Sequence, residues 1–123
     1  MIRIVLDTNI IISAAFSPLG NCARIINLLT GSEQVELFYA EPILAEYQLV
    51  LSRPQLDISP QIQAELMETI KAEGKELKPV PSSIPLIDES DCIFYDTARE
   101  ARAILITGNK KHYPVEAVYY APY

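Results

Sequence analysis

The sequence predicts a three-layer α/β/α domain built on a central parallel sheet. Two observations predict it. Short apolar runs of strand length recur along the chain, and stretches with helical spacing of apolar residues separate them. Strands that alternate with helices pair in parallel through crossovers, which places helices on both faces of the sheet. At 123 residues, half of them apolar, the chain fits a single domain over 1–123 with a real core.

Arg3-Ile4-Val5-Leu6 is an apolar run that ends at Asp7 and reads as a buried strand. Asn9 to Ala15 opens a helix that Pro18 and Gly20 interrupt. Asn21 is a candidate N-cap for a helix over Cys22 to Thr30, ending near Gly31. Val35 to Tyr39 alternates loosely and reads as the second strand. Pro42 suits the first turn of a helix reaching about Leu51, and Arg53-Pro54 stops it. Ser59-Pro60 opens the next helix, which carries Ile62, Leu66 and Ile70 at i, i+4, i+8 and stops near Gly74. Lys78 to Pro85 is proline-rich, an extended connection with one short strand expected around Leu77 to Val80. Asp88 to Ala101 reads as a helix and Ala103 to Ile106 as a buried strand. Thr107-Gly108-Asn109 is its turn, and Val118 to Tyr120 is a last strand.

Composition narrows the chemistry. No segment approaches the 18 or more apolar residues of a membrane span. Asp7 and Asn9 break the apolar start and only Arg3 adds positive charge there, which argues against a cleaved signal. Cys22 and Cys92 read as reduced thiols of a cytoplasmic protein. A single histidine, His112, and no cysteine pair at ligand spacing argue against zinc, so any metal must be held by oxygen. The net charge of −6 is awkward for a binder of phosphates. It is eased if some acids are metal ligands, and a basic partner could cover others.

Several acids occupy informative positions. Asp7 directly follows the first strand, and ligands of open α/β sheets bind beyond the carboxyl ends of strands. The plainer reading makes Asp7 only a helix cap. Glu46 lies three residues after Ile43 and four before Val50, on the inward side of its helix with Tyr47. A carboxylate there needs a partner, which a metal would supply, unless it reaches water or pairs with Arg53. Asp91 begins the apolar stripe of Phe94, Tyr95 and Ala98, although acids are also common at helix N-termini, as at Asp88 and Glu89. Asp96 borders the same cleft or belongs to a solvated helix face. Thr107 and Asn109 follow a strand at its carboxyl end, where one could bond a carboxylate and the other hold a water, or both could simply make a turn. His112 reads as a phosphate contact or a surface histidine.

These residues carry a resemblance. Ile4-Val5-Leu6-Asp7-Thr8-Asn9 resembles the opening of PIN-domain nucleases. Glu41 to Pro54 resembles the central helix of a subgroup of toxin–antitoxin PIN-domain toxins of the VapC kind. Asp88-Glu89-Ser90-Asp91 with Phe94 and Ala98 resembles that subgroup's third motif, and Leu105 to Tyr113 its fourth. The four segments occur in order over nearly the whole chain. The resemblance implies a ribonuclease that uses Mg²⁺ or Mn²⁺, with Asp7, Glu46 and Asp91 as metal-binding acids. It implies polar support from Thr107 and Asn109 near Asp7, and Thr8, Asn9 and Asp96 are expected to support the site as well. Arg53, Lys110 and Lys111 would meet RNA, with Arg24 and Arg99 as further cations. It also implies a homodimer and an antitoxin partner. Many relatives carry a fourth acid where Asn109 and His112 stand here, and many continue with a further helix beyond the last strand.

Two other readings compete. A phosphatase with Asp7 as nucleophile would usually place a second acid two residues later, where Asn9 stands. A PIN-like module that binds RNA or protein without cutting would fit the acidic charge and the absent fourth acid.

Overall fold

The run from Ile2 to Leu6 forms strand β1, and burial explains its composition. Val5 and Leu6 are fully enclosed and Ile4 nearly so, because β1 lies inside the sheet with a strand on either side. A computed structural model describes residues 2–31, 33–80 and 92–108, and the backbone of 118–120. Along the chain come α1 (Thr8–Phe16), α2 (Asn21–Gly31), β2 (Val35–Tyr39), α3 (Glu41–Leu51) and α4 (Pro60–Glu73). There follow β3 (Gly74–Glu76), α5 (Cys92–Ala101), β4 (Ile104–Thr107) and β5 (Val118–Tyr120).

The five strands are all parallel, in the order β3-β2-β1-β4-β5. The expected three-layer α/β/α architecture is therefore the observed one. The chain walks outward from β1 to β3, then returns to the other side of β1 to place β4. Right-handed crossovers put the helices of the outward walk on one face and α5 on the other. The contacts agree: α1 to α4 pack against one another, and α5 lies across β1, β2 and β4.

Local signals set most boundaries. Asp7 caps α1, its side chain accepting from the Thr8 N–H at 2.8 Å. Pro42 sits in the first turn of α3, and Ser59 caps α4 by accepting from the Ile62 N–H at 3.2 Å. At its other end α5 closes with Arg102 in the left-handed region at φ 54°. The Ala103 N–H returns to the Ala98 carbonyl at 2.8 Å, which turns the chain straight into β4. The Arg3 guanidinium donates to the Ala101 carbonyl at 3.2 Å, a cation at the negative end of the helix. That bond fixes the direction of α5. Its last turn lies beside the start of β1, so its first turn lies beside the end.

One strand differs from expectation. The short strand expected at Leu77 to Val80 is instead Gly74–Glu76, directly after α4, while 77–80 is irregular apart from a Leu77 N–H bond to Tyr39 O at 2.8 Å. An edge strand of Gly-Lys-Glu buries little and carries no apolar signature. Gly74 is needed for close approach, not for an unusual backbone angle. A Cβ there would fall 2.6 Å from both the Ile70 carbonyl oxygen and the Tyr39 ring. Gly74→Ala is expected to cost about 1–3 kcal/mol, as overpacking does, read from the urea midpoint.

Candidate active site

Strand β1 delivers Asp7 to the carboxyl end of the sheet. Leu6 pairs with Ile106 of β4, and the Asp7 N–H extends the ladder by donating to the Ile106 carbonyl at 3.0 Å. This is also where strand order reverses, since β2 and β3 lie to one side of β1 and β4 and β5 to the other. Such switch points leave a crevice beyond the strand ends.

The Asp7 carboxylate is only 5 % exposed and both of its oxygens are held. Oδ1 accepts from the Thr8 N–H, and Oδ2 accepts from the Thr107 hydroxyl at 2.5 Å. Thr107 ends β4 and is completely enclosed. Asp7 is thus a helix cap and a held carboxylate at once. A carboxylate has about four lone-pair directions, so each oxygen can accept from a neighbour and still face a cation. Thr107→Val keeps the shape and removes the donor. It is expected to cost about 2 kcal/mol, the scale of a bond to a charged group, by urea denaturation in EDTA.

Thr8 joins Asp7 to Glu46. Its N–H serves Asp7, and its buried hydroxyl donates to Glu46 Oε2. Glu46 is half-buried on α3, with Ile43 and Tyr47 of the same helix in the core. Its contact is Thr8, and among the described residues no ion pair links it to Arg53, which is exposed. The Tyr47 side chain is fully buried, and its hydroxyl donates to the Leu6 carbonyl. Burial first, then the negative Asp7 and Glu46, push that hydroxyl well above its usual range. Tyr47 therefore stays a neutral donor, and the two carboxylates are near enough to act on one oxygen.

Of the other expected residues, Asp96 is buried, which removes the solvated-face reading. Asn9 is exposed, as are Arg24 and Arg99, and Arg99 donates to the Val80 carbonyl at 3.0 Å. Asp91, Asn109, Lys110, Lys111 and His112 lie outside the described residues. Cys22 is buried and Cys92 half-buried, and burial pushes the Cys22 thiol up against the opposing effect of a Ser13 hydrogen bond. Tyr47 is the site residue that the sequence reading missed. Its spacing from Ile43 and Val50 reads in the sequence as part of an apolar stripe. The available signal was that a buried tyrosine hydroxyl needs a partner, and a strand end is where carbonyls lie open.

Asp7, Thr8, Glu46 and Thr107 present only oxygen through their side chains, a donor set that fits a hard divalent cation and not a soft one. Among the described residues, no group of three acidic, histidine or cysteine side chains is placed to hold a metal ion. The sequence settles the family. The model of the PIN domain matches residues 3–111. This chain belongs to the PIN-domain family. PIN domains are in general nucleases that use divalent metal ions.

The PIN fold extends over the whole chain in a structural comparison as well. A chain in the crystal structure of VapBC2 from Rickettsia felis, bound to a DNA fragment from their promoter, aligns with a TM-score of 0.65 at 14% identity. The alignment covers 98% of each chain. At that identity the likeness is one of fold. No curated protein matches. No single helix among the described residues is long and apolar enough to cross a membrane.

Proposed function

We propose that this PIN domain is an endoribonuclease dependent on Mg²⁺ or Mn²⁺, the toxin of a toxin–antitoxin pair. The observation that carries the reading is the bridge from Thr107 through Asp7 and Thr8 to Glu46 at the switch point of the sheet. We assign Asp7, Glu46 and Asp91 as the catalytic acids that hold the metal. Asp91 immediately precedes α5 in sequence, and the first turn of α5 lies at the Asp7 end. A helix of this length, about 15 Å, spans roughly the same distance as β1.

Hydrolysis joins a water oxygen to phosphorus, breaks one phosphorus–oxygen bond and gives the departing oxygen a proton. A bound divalent ion would supply charge relief on the phosphate and a more acidic water. The chain does the rest. Thr107 and Thr8 hold Asp7 in one orientation. Glu46 Oε2 is engaged by Thr8, and Oε1 is the atom we assign to orient the attacking water or take its proton. Arg53, Lys110 and Lys111 contact the RNA backbone, and Asn109 is polar support near Asp7. Asp96 supports the site from inside α5. The protein acts in the cytoplasm as a homodimer restrained by an antitoxin.

The test is cleavage of a structured RNA in Mn²⁺ and in EDTA, by wild type and by Asp7→Asn. Cutting that needs Mn²⁺ and disappears in the variant supports the assignment. Retained cutting in Asp7→Asn removes it. RNA binding without cutting favours instead a non-catalytic PIN module, the reading that the pair of carboxylates among described residues and the net charge of −6 would then support.

A further inference from the structure

We propose that Tyr47 is a positioning residue that sets the spacing of Asp7 and Glu46 for the divalent ion, an inference that rests on the metal-dependent reading above. The two carboxylates stand on separate elements, one at the end of β1 and one on α3. Two side-chain hydrogen bonds join α3 to the Leu6–Thr8 segment at the site, where β1 runs into α1. One is the Thr8 hydroxyl to Glu46, and the other is the Tyr47 hydroxyl to the Leu6 carbonyl.

The two ties differ in a way that matters. The Thr8 bond occupies an oxygen of Glu46, so an arriving cation competes with it. The Tyr47 bond touches neither carboxylate, yet each end of it is one residue from one of them: Leu6 precedes Asp7, and Glu46 precedes Tyr47. It therefore holds the separation whether or not metal is bound. The ring itself is fixed. Tyr47 is wholly enclosed and packs on Phe94 of α5, with ring centroids 6.3 Å apart and planes tilted by 41°. A rigid phenol against a strand carbonyl is a stiffer strut than a threonine hydroxyl on a half-exposed glutamate. Ligand positions within about 0.5 Å are what separates a working site from a loose one.

The experiment measures Mn²⁺ affinity directly, by calorimetry on metal-free protein without RNA, alongside steady-state cleavage. Tyr47→Phe keeps the ring and removes the donor. The expected result is at least a tenfold weaker Mn²⁺ dissociation constant, with KM for RNA within twofold of wild type and kcat reduced. Ile26→Val, in the core on α2, is the control for destabilisation and is expected to leave Mn²⁺ affinity within twofold. Placing 4-aminophenylalanine at position 47 restores a donor to the ring, and is expected to return the affinity to within threefold of wild type. This second form also decides the matter should Tyr47→Phe fail to fold, because it must then bind Mn²⁺ as wild type does. Wild-type Mn²⁺ affinity in Tyr47→Phe overturns the positioning role and leaves the nuclease reading standing. Loss without rescue by the amino analogue overturns it too. A wild-type protein that binds no Mn²⁺ overturns both.

Discussion

Asp7→Asn is expected to abolish stabilisation by metal while leaving the metal-free fold intact. Asparagine caps helices about as well as aspartate, so α1 keeps its start. The amide accepts through one oxygen where the carboxylate used two. Thr107 answers by rotating, since a hydroxyl can accept from the new amide N–H as well as donate. Removing one of two neighbouring negative charges also relieves repulsion with Glu46 when no cation is present. The melting temperature in EDTA is therefore expected to stay level or rise. The contrast appears on adding Mn²⁺. At 100 times its dissociation constant, a ligand that binds only the folded state adds about 2.7 kcal/mol, roughly 10 °C for a chain of this size. Wild type gains that shift, and Asp7→Asn is expected to gain less than about 2 °C. Thermal melts of both proteins, with EDTA and with Mn²⁺, check it.

Phe94→Ala is expected to be the most damaging core substitution near the site. Phe94 is 1 % exposed and lies where α5 meets the ring of Tyr47. Truncating such a ring costs about 3–5 kcal/mol, from lost burial and from the cavity left behind. Whole domains are stable by only about 5–15 kcal/mol, so the variant retains a small margin. Tyr47 loses its lateral support as well, so Mn²⁺ affinity is expected to fall with stability. Urea denaturation at fixed pH gives the first quantity. A loss under about 1 kcal/mol would mean that α5 does not pack on α3 through this pair.

The sheet was readable where burial writes itself into composition. Ile4-Val5-Leu6 and Ile104-Leu105-Ile106 are apolar because β1 and β4 sit inside the sheet, and both were placed within a residue or two. β3 was not readable, because Gly74-Lys75-Glu76 lies on an edge and faces water, while Leu77 and Val80 supplied a misleading apolar signal. The helix ends at Asp7 and Ser59 followed from short polar caps. The site was legible in part. Asp7 follows from its place after a strand, and Glu46 from its place beside an apolar stripe. That Glu46 bonds Thr8 and not Arg53 is a matter of three-dimensional register between α1 and α3, which spacing along one helix cannot express. Asp96 reads in the sequence as cleft-bordering or solvated, because a stripe of i+3 and i+4 neighbours is a narrow template. α5 crosses three strands and buries a much wider arc, from Phe94 to Ala98 without a break.

The PIN family and its fold stand on the match over 3–111 and on the parallel sheet; the proposed metal centre rests on the carboxylates. Crystals grown with Mn²⁺ and measured at the manganese absorption edge test it most directly. The expected result is an anomalous peak beyond the ends of β1 and β4, with oxygens of Asp7, Glu46 and Asp91 at about 2.0–2.3 Å. A map in which manganese is absent there, or sits elsewhere with Asp7 away from it, would contradict the account.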